Sequence, residues 1–182
     1  DWPFEKYVEI VSTIHQKFPN VQVKAFTAAE IDYFYRRWNV DPEESLAILK
    51  EAGLRSMPGG GAEVFSDRVH KLLLPGKNTA NRWLEIHSMA HRMGIPSNAT
   101  LLYGHIETYQ ERVEHMMRLR ELQDETGGFL AFIPLEYQTG DTKLVPRQAS
   151  AIDDLKTVAA ARLMLDNFPH IKAYWVMIGE AT

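Results

Sequence analysis

Apolar residues recur at Phe4, Val8, Val11 and Ile14, the spacing of one helix face, in a helix expected to end near "KFPN". Asp1 or Pro3 is placed to open it. The next stretch, "VQVKAF" at 21–26, alternates with period two and predicts a strand. A second helix follows in "TAAEIDYFYRRW", where Thr27 and Glu30 have the spacing of a capping box. "DPEESLAILKEAG" predicts another, with Asp41 as cap, Pro42 at the first helical position and Gly53 at the end. The short strand "LRSMPGG" then runs into glycines.

The pattern repeats to the end of the chain. A helix over 79–94 leads to the strand "IPSNATLLYG", "ETYQERVEHMMRLRELQDETGG" leads to "GFLAFIPLEY", and "AIDDLKTVAAARLMLDN" leads to "IKAYWVMIG". About five strands, each preceded by a helix and with no tight hairpin signal, imply a parallel sheet with right-handed crossovers. A barrel and a doubly wound sheet both satisfy that pattern. The strand faces favour the barrel. Gln22, Lys24 and Phe26 share one face of their strand, as Lys172 and Tyr174 do of theirs, and a parallel strand covered on both sides should be apolar on both. A polar face points to an interior lining a ligand cavity, with reactive groups at the C-terminal ends of the strands.

Composition narrows the function. The 20 basic residues are scattered among 24 acidic ones for a net charge of -4, so no basic stripe marks a nucleic-acid footprint. A small-molecule or protein partner is expected instead. The longest apolar runs fall far short of the roughly 20 residues that span a bilayer, and "DWPFEKYVEIV" has no cationic leader pattern, so a cytoplasmic protein is expected. The chain has no cysteine, hence neither a disulfide nor a thiolate ligand. It opens without Met, directly at a helix, and is expected to be a piece of a longer protein.

Two runs at strand ends carry the candidate chemistry. "MPGGGAE" at 57–63 matches neither a P-loop nor a dinucleotide fingerprint. It is either a structural turn or a loop that lets backbone approach a ligand, with Glu63 just beyond. In "YGHIETYQE", Gly104 permits close approach while His105 and Glu107 offer acid-base or ligand contacts; alternatively Glu107 or Thr108 caps the next helix. His87 and His91 have the helical spacing of a metal pair but lack the Glu of the zincin motif. No metal site is expected there, and His115, among charges on a helix, is expected at the surface.

Four runs in order, "GLRSMPGGGAEVFSDRV", "WLEIHSMAHRMGIPSNATLLYGHIETYQERVEH", "LRELQDETGGFLAFIPL" and "ARLMLDNFPHIKAYWVM", resemble the radical S-adenosylmethionine (SAM) enzymes of the futalosine route to menaquinone. That group includes aminofutalosine synthases, dehypoxanthine futalosine cyclases and a deazaflavin (coenzyme F420) synthase component. "LMLDNFPHIKAYWVMIG" and "FIPLEYQTGDTKL" look most like the aminofutalosine synthases. The resemblance implies a partial (β/α) TIM-type barrel of about five parallel strands with helices, corresponding to the third to seventh strands of the whole. It also implies SAM and a 4Fe-4S cluster in the intact protein, and an enol-ether benzoate as small-molecule substrate. The family holds its cluster on a C-x3-C-x2-C loop, which this chain lacks. The chain alone is therefore expected to be inactive, and to leave two sheet edges that a second copy would cover in a homodimer. The reading from another class is a cluster-free barrel piece that binds only a nucleoside-like ligand or a partner chain.

The family motifs carry over residue by residue. In the strand motif G-x-I-x-G-x-x-E near the adenine, Gly104, Ile106 and Glu111 match, and Thr108 replaces the second glycine. Gly59, Gly60, Gly61 and Glu63 fall where the family contacts the ribose or methionine part of SAM, and Pro134 falls beside the adenine. Lys24, Phe26, Asn98, His105 and Glu107 form the expected substrate-facing set.

Overall fold

The structure, a computed structural model, describes residues 2–73, 79–140 and 144–179; Asp1, the alternative helix opener, lies outside them. Helix α1 (Phe4–Lys17) starts behind Pro3 and buries Phe4 and Val11. Strand β1 (Val23–Lys24) is brief, and α2 (Ala28–Trp38) opens with the complete Thr27–Glu30 capping box. Asp41 caps α3 (Pro42–Ala52) by accepting from Glu43 N–H, and Gly53 ends it ahead of β2 (Leu54–Ser56). These local signals act where the pattern places them because each satisfies backbone groups that a helix end leaves open.

Helix α4 (Asp67–Leu73), inside a stretch with no element expected, precedes α5 (Ala80–Arg92) and β3 (Ser97–Tyr103). Then come α6 (Tyr109–Thr126), β4 (Phe129–Glu136), α7 (Ala151–Met164) and β5 (His170–Ile171). The last expected strand is a correction: after Ile171 the chain leaves the sheet, and Trp175–Ile178 forms a helical turn, α8. Its aromatic and β-branched run satisfies either period, and β4 offers β5 pairing only at Ala131 and Phe132.

All pairings are parallel. β1 pairs with β2, and β3, β4 and β5 follow in order. Met57, just past β2, bridges to Ser97, joining the two groups. The strand order therefore equals the chain order, which is the curl of a (β/α) barrel and not the reversal of a doubly wound sheet. Helices pack on the convex side: Trp83 and Phe129 stack at 6.0 Å between centroids, and Phe129 stacks on Phe168 at 5.2 Å.

Register separates the two faces. Val23, Leu54, Ala99, Leu101, Tyr103 and Phe132 belong to the helix-side core. Asn98 and Thr100 alternate with Ala99 and Leu101 and so turn to the concave side; Lys24, at a register shift between β1 and β2, is exposed beside the buried Val23 and stands off the helix-side core. Lys172, one residue past Ile171, does the same, since Ile171 pairs with Phe132 and packs on the core.

His115 is a second correction. It is fully buried: Phe65 N–H donates to Nδ1 at 3.1 Å, and Nε2 lies 2.9 Å from the Thr100 carbonyl oxygen. Flanking charges placed it at the surface, but helical spacing puts it one turn before the buried Leu119 and beside the buried Met116.

Candidate functional site

The C-terminal ends of β2 and β3 come together although residues 64–102 separate "MPGGGAE" from "YGHIETYQE". The segment after β2 is laid along β3. Asn98 N–H donates to the Met57 carbonyl at 3.1 Å, Thr100 Oγ1–H to the Gly59 carbonyl at 2.6 Å, and Leu102 N–H to the Glu63 carbonyl at 2.8 Å. A Cβ on Gly59 would sit 2.6 Å from the Asn98 carbonyl oxygen, so only glycine lets the two backbones approach this closely. Gly60 accepts from Trp83 Nε1–H at 3.2 Å, and Gly61 lies against Ala29. The triplet thus has a packing reason in addition to any ligand.

Gly104, at φ +85°, turns the chain off the end of β3. Glu107 closes that turn: its carboxylate accepts from Gly104 N–H at 2.7 Å and His105 N–H at 2.9 Å, and Arg112 Nε–H reaches it at 2.8 Å. The Arg112 guanidinium continues to Asp153 at 3.2 Å and to Thr157 Oγ1 at 2.8 Å, and lies over the Tyr103 and Tyr109 rings. His105 is folded into the same turn, with Nε2 3.0 Å from the Leu102 carbonyl oxygen and Nδ1 accepting from Ile106 N–H at 2.7 Å. Burial lowers its pKa; Glu107, 3.1 Å from Nδ1, only partly restores it, so the ring is neutral at neutral pH. His105 and Glu107 hence expose no side-chain surface and shape the strand end.

Ile106 packs on the core, and its carbonyl accepts from Arg68 at 2.7 Å. Thr108, where the family pattern has glycine, starts α6 with a capping box to Glu111, so the helix geometry is preserved. Glu111 also accepts from the Ser66 hydroxyl and pairs with Arg68 at 2.7 Å. The Arg68 hydrogen bond is the main cause that draws the carboxyl down to about 2.

Pro134 pairs with Leu101 and is buried on the helix side, leaving Ile133 and Leu135 on the concave face. The carbonyl of Phe132 faces β5, so Pro134, two residues on, turns its missing N–H to the same side, beyond the last paired position of β5. Phe26 departs from the face expected for it. At φ +60° just past β1 it swings toward the helices, and its ring meets Phe34 at 5.5 Å and Tyr7 at 6.1 Å, edge to face. Lys24 and Asn98 remain on the concave side as expected. Tyr174, expected to share a face with Lys172, lies beyond the last strand at the start of α8.

Periodicity did not single out Arg112, Asp154 or Glu136. Tyr103 donates to buried Asp154 at 2.8 Å, and Glu136, paired opposite Tyr103, accepts from Gln148 at 2.7 Å. Burial raises the pKa of both carboxyls. The one available signal was charge within an apolar run, as at Glu136 between Leu135 and Tyr137; Arg112 and Asp154, each beside another charged residue, gave none. A cleft of about 500 Å³ beside this group is lined by Gly104, His105, Arg147 and Gln148. A wider one of about 620 Å³, between α5 and α6, lies on the helix side, away from the concave face.

His87 and His91 are joined by Ser97, whose hydroxyl lies 2.7 Å from His87 Nδ1 and 2.8 Å from His91 Nε2. The spacing that resembles a metal pair here ties α5 to β3. An iron-sulfur cluster needs thiolates, and this chain has none; among the described residues no group of three His, Asp or Glu could hold a metal either. The residues of this chain do not fit the cluster. Among the described residues no helix is long and apolar enough to cross a membrane.

The comparisons with known proteins agree with the strand order. The model of the radical SAM superfamily matches residues 2–119. The chain is 52% identical to an aminodeoxyfutalosine synthase of Thermus thermophilus, over 97% of this chain and 49% of that protein. It is 39% identical to a cyclic dehypoxanthine futalosine synthase of Streptomyces coelicolor, over 99% of this chain and 45% of the relative. It is 38% identical to a 5-amino-6-(D-ribitylamino)uracil–L-tyrosine 4-hydroxyphenyl transferase of Methanosarcina barkeri, over 96% of this chain and 48% of the relative. The chain spans about half the length of these curated relatives. With a curled parallel sheet, strand-end glycines that bring two backbones together and a family match over most of its length, the chain belongs to the radical SAM superfamily.

Proposed function

We propose that this chain supplies the SAM- and substrate-facing strands of an aminodeoxyfutalosine synthase acting in menaquinone biosynthesis. The observation that carries the reading is the 52% identity to a synthase of that name, against 39% to the cyclase. In this reading a 4Fe-4S cluster, held by thiolates outside this chain, would supply the electron chemistry that activates SAM, and this chain's residues would hold SAM and 3-(1-carboxyvinyloxy)benzoate in position. The overall reaction would join the 5'-deoxyadenosyl carbon to the vinyl CH2, move the aryl ring from the ether oxygen to the adjacent carbon, which becomes a ketone, and release methionine and the vinyl carboxylate as carbon dioxide, giving aminofutalosine.

The chain's own residues bind and orient. Gly59, Gly60, Gly61 and Glu63 form one wall of the SAM pocket; Gly104, Ile106 and Pro134 form the adenine side through backbone groups at the strand ends. Lys24, Phe26, Asn98, His105 and Glu107 were the expected substrate set, and two of them, Lys24 and Asn98, keep direct contact in this reading. His105, Glu107 and Phe26 act indirectly, by holding the loops that carry the others. A barrel interior closed by these loops excludes water from a reactive species, which is the protein's main contribution in cofactor chemistry.

The test incubates the full-length reconstituted protein with SAM, a reductant and 3-(1-carboxyvinyloxy)benzoate, and looks for aminofutalosine by mass spectrometry. Product is expected. Inertness toward that substrate together with turnover of dehypoxanthine futalosine would assign the cyclase activity instead.

A further inference from the structure

Two lysines enter the concave face from opposite ends of the strand arc. Lys24 lies on β1 at a register shift against β2, exposed beside the buried Val23 and so off the core that Val23 and Leu54 join. Lys172 follows β5, anchored by its own N–H donating to the Phe132 carbonyl at 2.9 Å, and turned away from the core that Ile171 joins. Four strand spacings separate them along the sheet, but the sheet curls, and each faces the interior that the other faces. They are close enough to feel one another, for the Lys24 ammonium is held below its ordinary pKa first by burial and then by the charge of Lys172.

Among the described residues neither ammonium has an acidic partner. The acids at nearby strand ends are engaged elsewhere: Glu107 by Arg112 and its own turn, Glu136 by Gln148 and Gln138. Between the two lysines along the arc lies Asn98, buried and alternating with the core residue Ala99, so that its carboxamide is on the same side. Two like charges facing one space repel, and an anion placed between them turns that repulsion into attraction from both sides.

We propose that Lys24 and Lys172 clamp a carboxylate of the substrate within the arc, with Asn98 as a neutral donor beside it. The ammonium groups supply several N–H donors each, and a carboxylate has lone pairs enough to accept from both sides at once. Of the preceding reading, only the choice of a benzoate as probe depends on the proposed activity.

The probe is 3-(carboxymethoxy)benzoate, which keeps two carboxylates and lacks the reactive vinyl group. It is titrated calorimetrically into the full-length wild type, K24M, K172M and K24R, with SAM affinity measured in parallel by equilibrium dialysis and folding checked by thermal melting. Methionine preserves length and removes charge. Each methionine variant is expected to weaken probe binding about tenfold, with a smaller loss in K24R, SAM affinity unchanged and the wild-type Kd rising with salt. Absence of probe binding by the wild type, wild-type probe affinity in both methionine variants, or loss of SAM affinity in place of probe affinity overturns the clamp. A wild type that binds the probe through the lysines but makes no aminofutalosine sinks the proposed activity and leaves the clamp standing. Product formation by both variants with unchanged KM does the opposite.

Discussion

An alanine methyl at position 59 would lie 2.6 Å from the Asn98 carbonyl oxygen and 2.9 Å from the Ala99 backbone. Those atoms belong to β3, which is held along its length by β4, so they cannot move aside cheaply. Gly59→Ala is expected to lower the stability of the protein by about 3 kcal/mol, read as a fall in the urea midpoint; an unchanged midpoint would show that the loop shifts freely. From the sequence, the glycine triplet is legible as a special backbone position, with a turn and a ligand loop both open. What occupies the missing Cβ space was not legible, because the neighbour comes from a strand about forty residues on. Phe26 shows the same gap: alternation assigned it a face, and a left-handed backbone at that residue reversed it.

Helix and turn are coupled at Arg112, which joins α6 to the β3 turn through Glu107 and to α7 through Asp153 and Thr157. Removing the guanidinium leaves the Glu107 carboxylate buried with two backbone donors as its remaining partners. Arg112→Met is expected to cost about 3 to 5 kcal/mol in urea denaturation. Adding Glu107→Gln to it should recover part of that loss, since the amide leaves no buried charge; a double variant as unstable as the sum of the singles would argue against this account. Elements with local signals were legible. Thr27, Asp41 and Thr108 sit where caps were expected or weighed, because a cap depends on residues within one turn. Trp175–Ile178 was not, since its apolar run suits a strand or a buried helix and only the short reach of β5 chose between them.

Across the whole molecule, three buried histidines make the fold acid-sensitive. His91 is pushed down to about 4 and His115 to about 3 by burial, and His87 is also well below 6.5. The unfolded chain takes up these protons near pH 6.5 while the folded chain refuses them, so stability is complete above that pH and is lost as pH falls toward 4. His91 alone accounts for about 3 kcal/mol of loss by pH 4. Glu136 and Asp154, raised by burial, oppose this in part, because the folded state takes up their protons first. Urea midpoints should fall steadily between pH 7 and 4.5, and His91→Gln should flatten the slope; a wild-type midpoint that holds or rises over that range contradicts the assignment. Taken alone, the sequence determined the alternation of helix and strand, the caps, the parallel sheet and the strand-end position of both glycine-bearing runs, because each depends on periodicity or on neighbours a few residues away. The tertiary structure alone decided that His105 and Glu107 are sealed within their turn, that His115 is core, that Phe26 turns to the helices and that β2 and β3 share a loop wall. Those outcomes depend on the curl of the sheet and on contacts between distant segments, where burial and partner geometry outweigh local pattern.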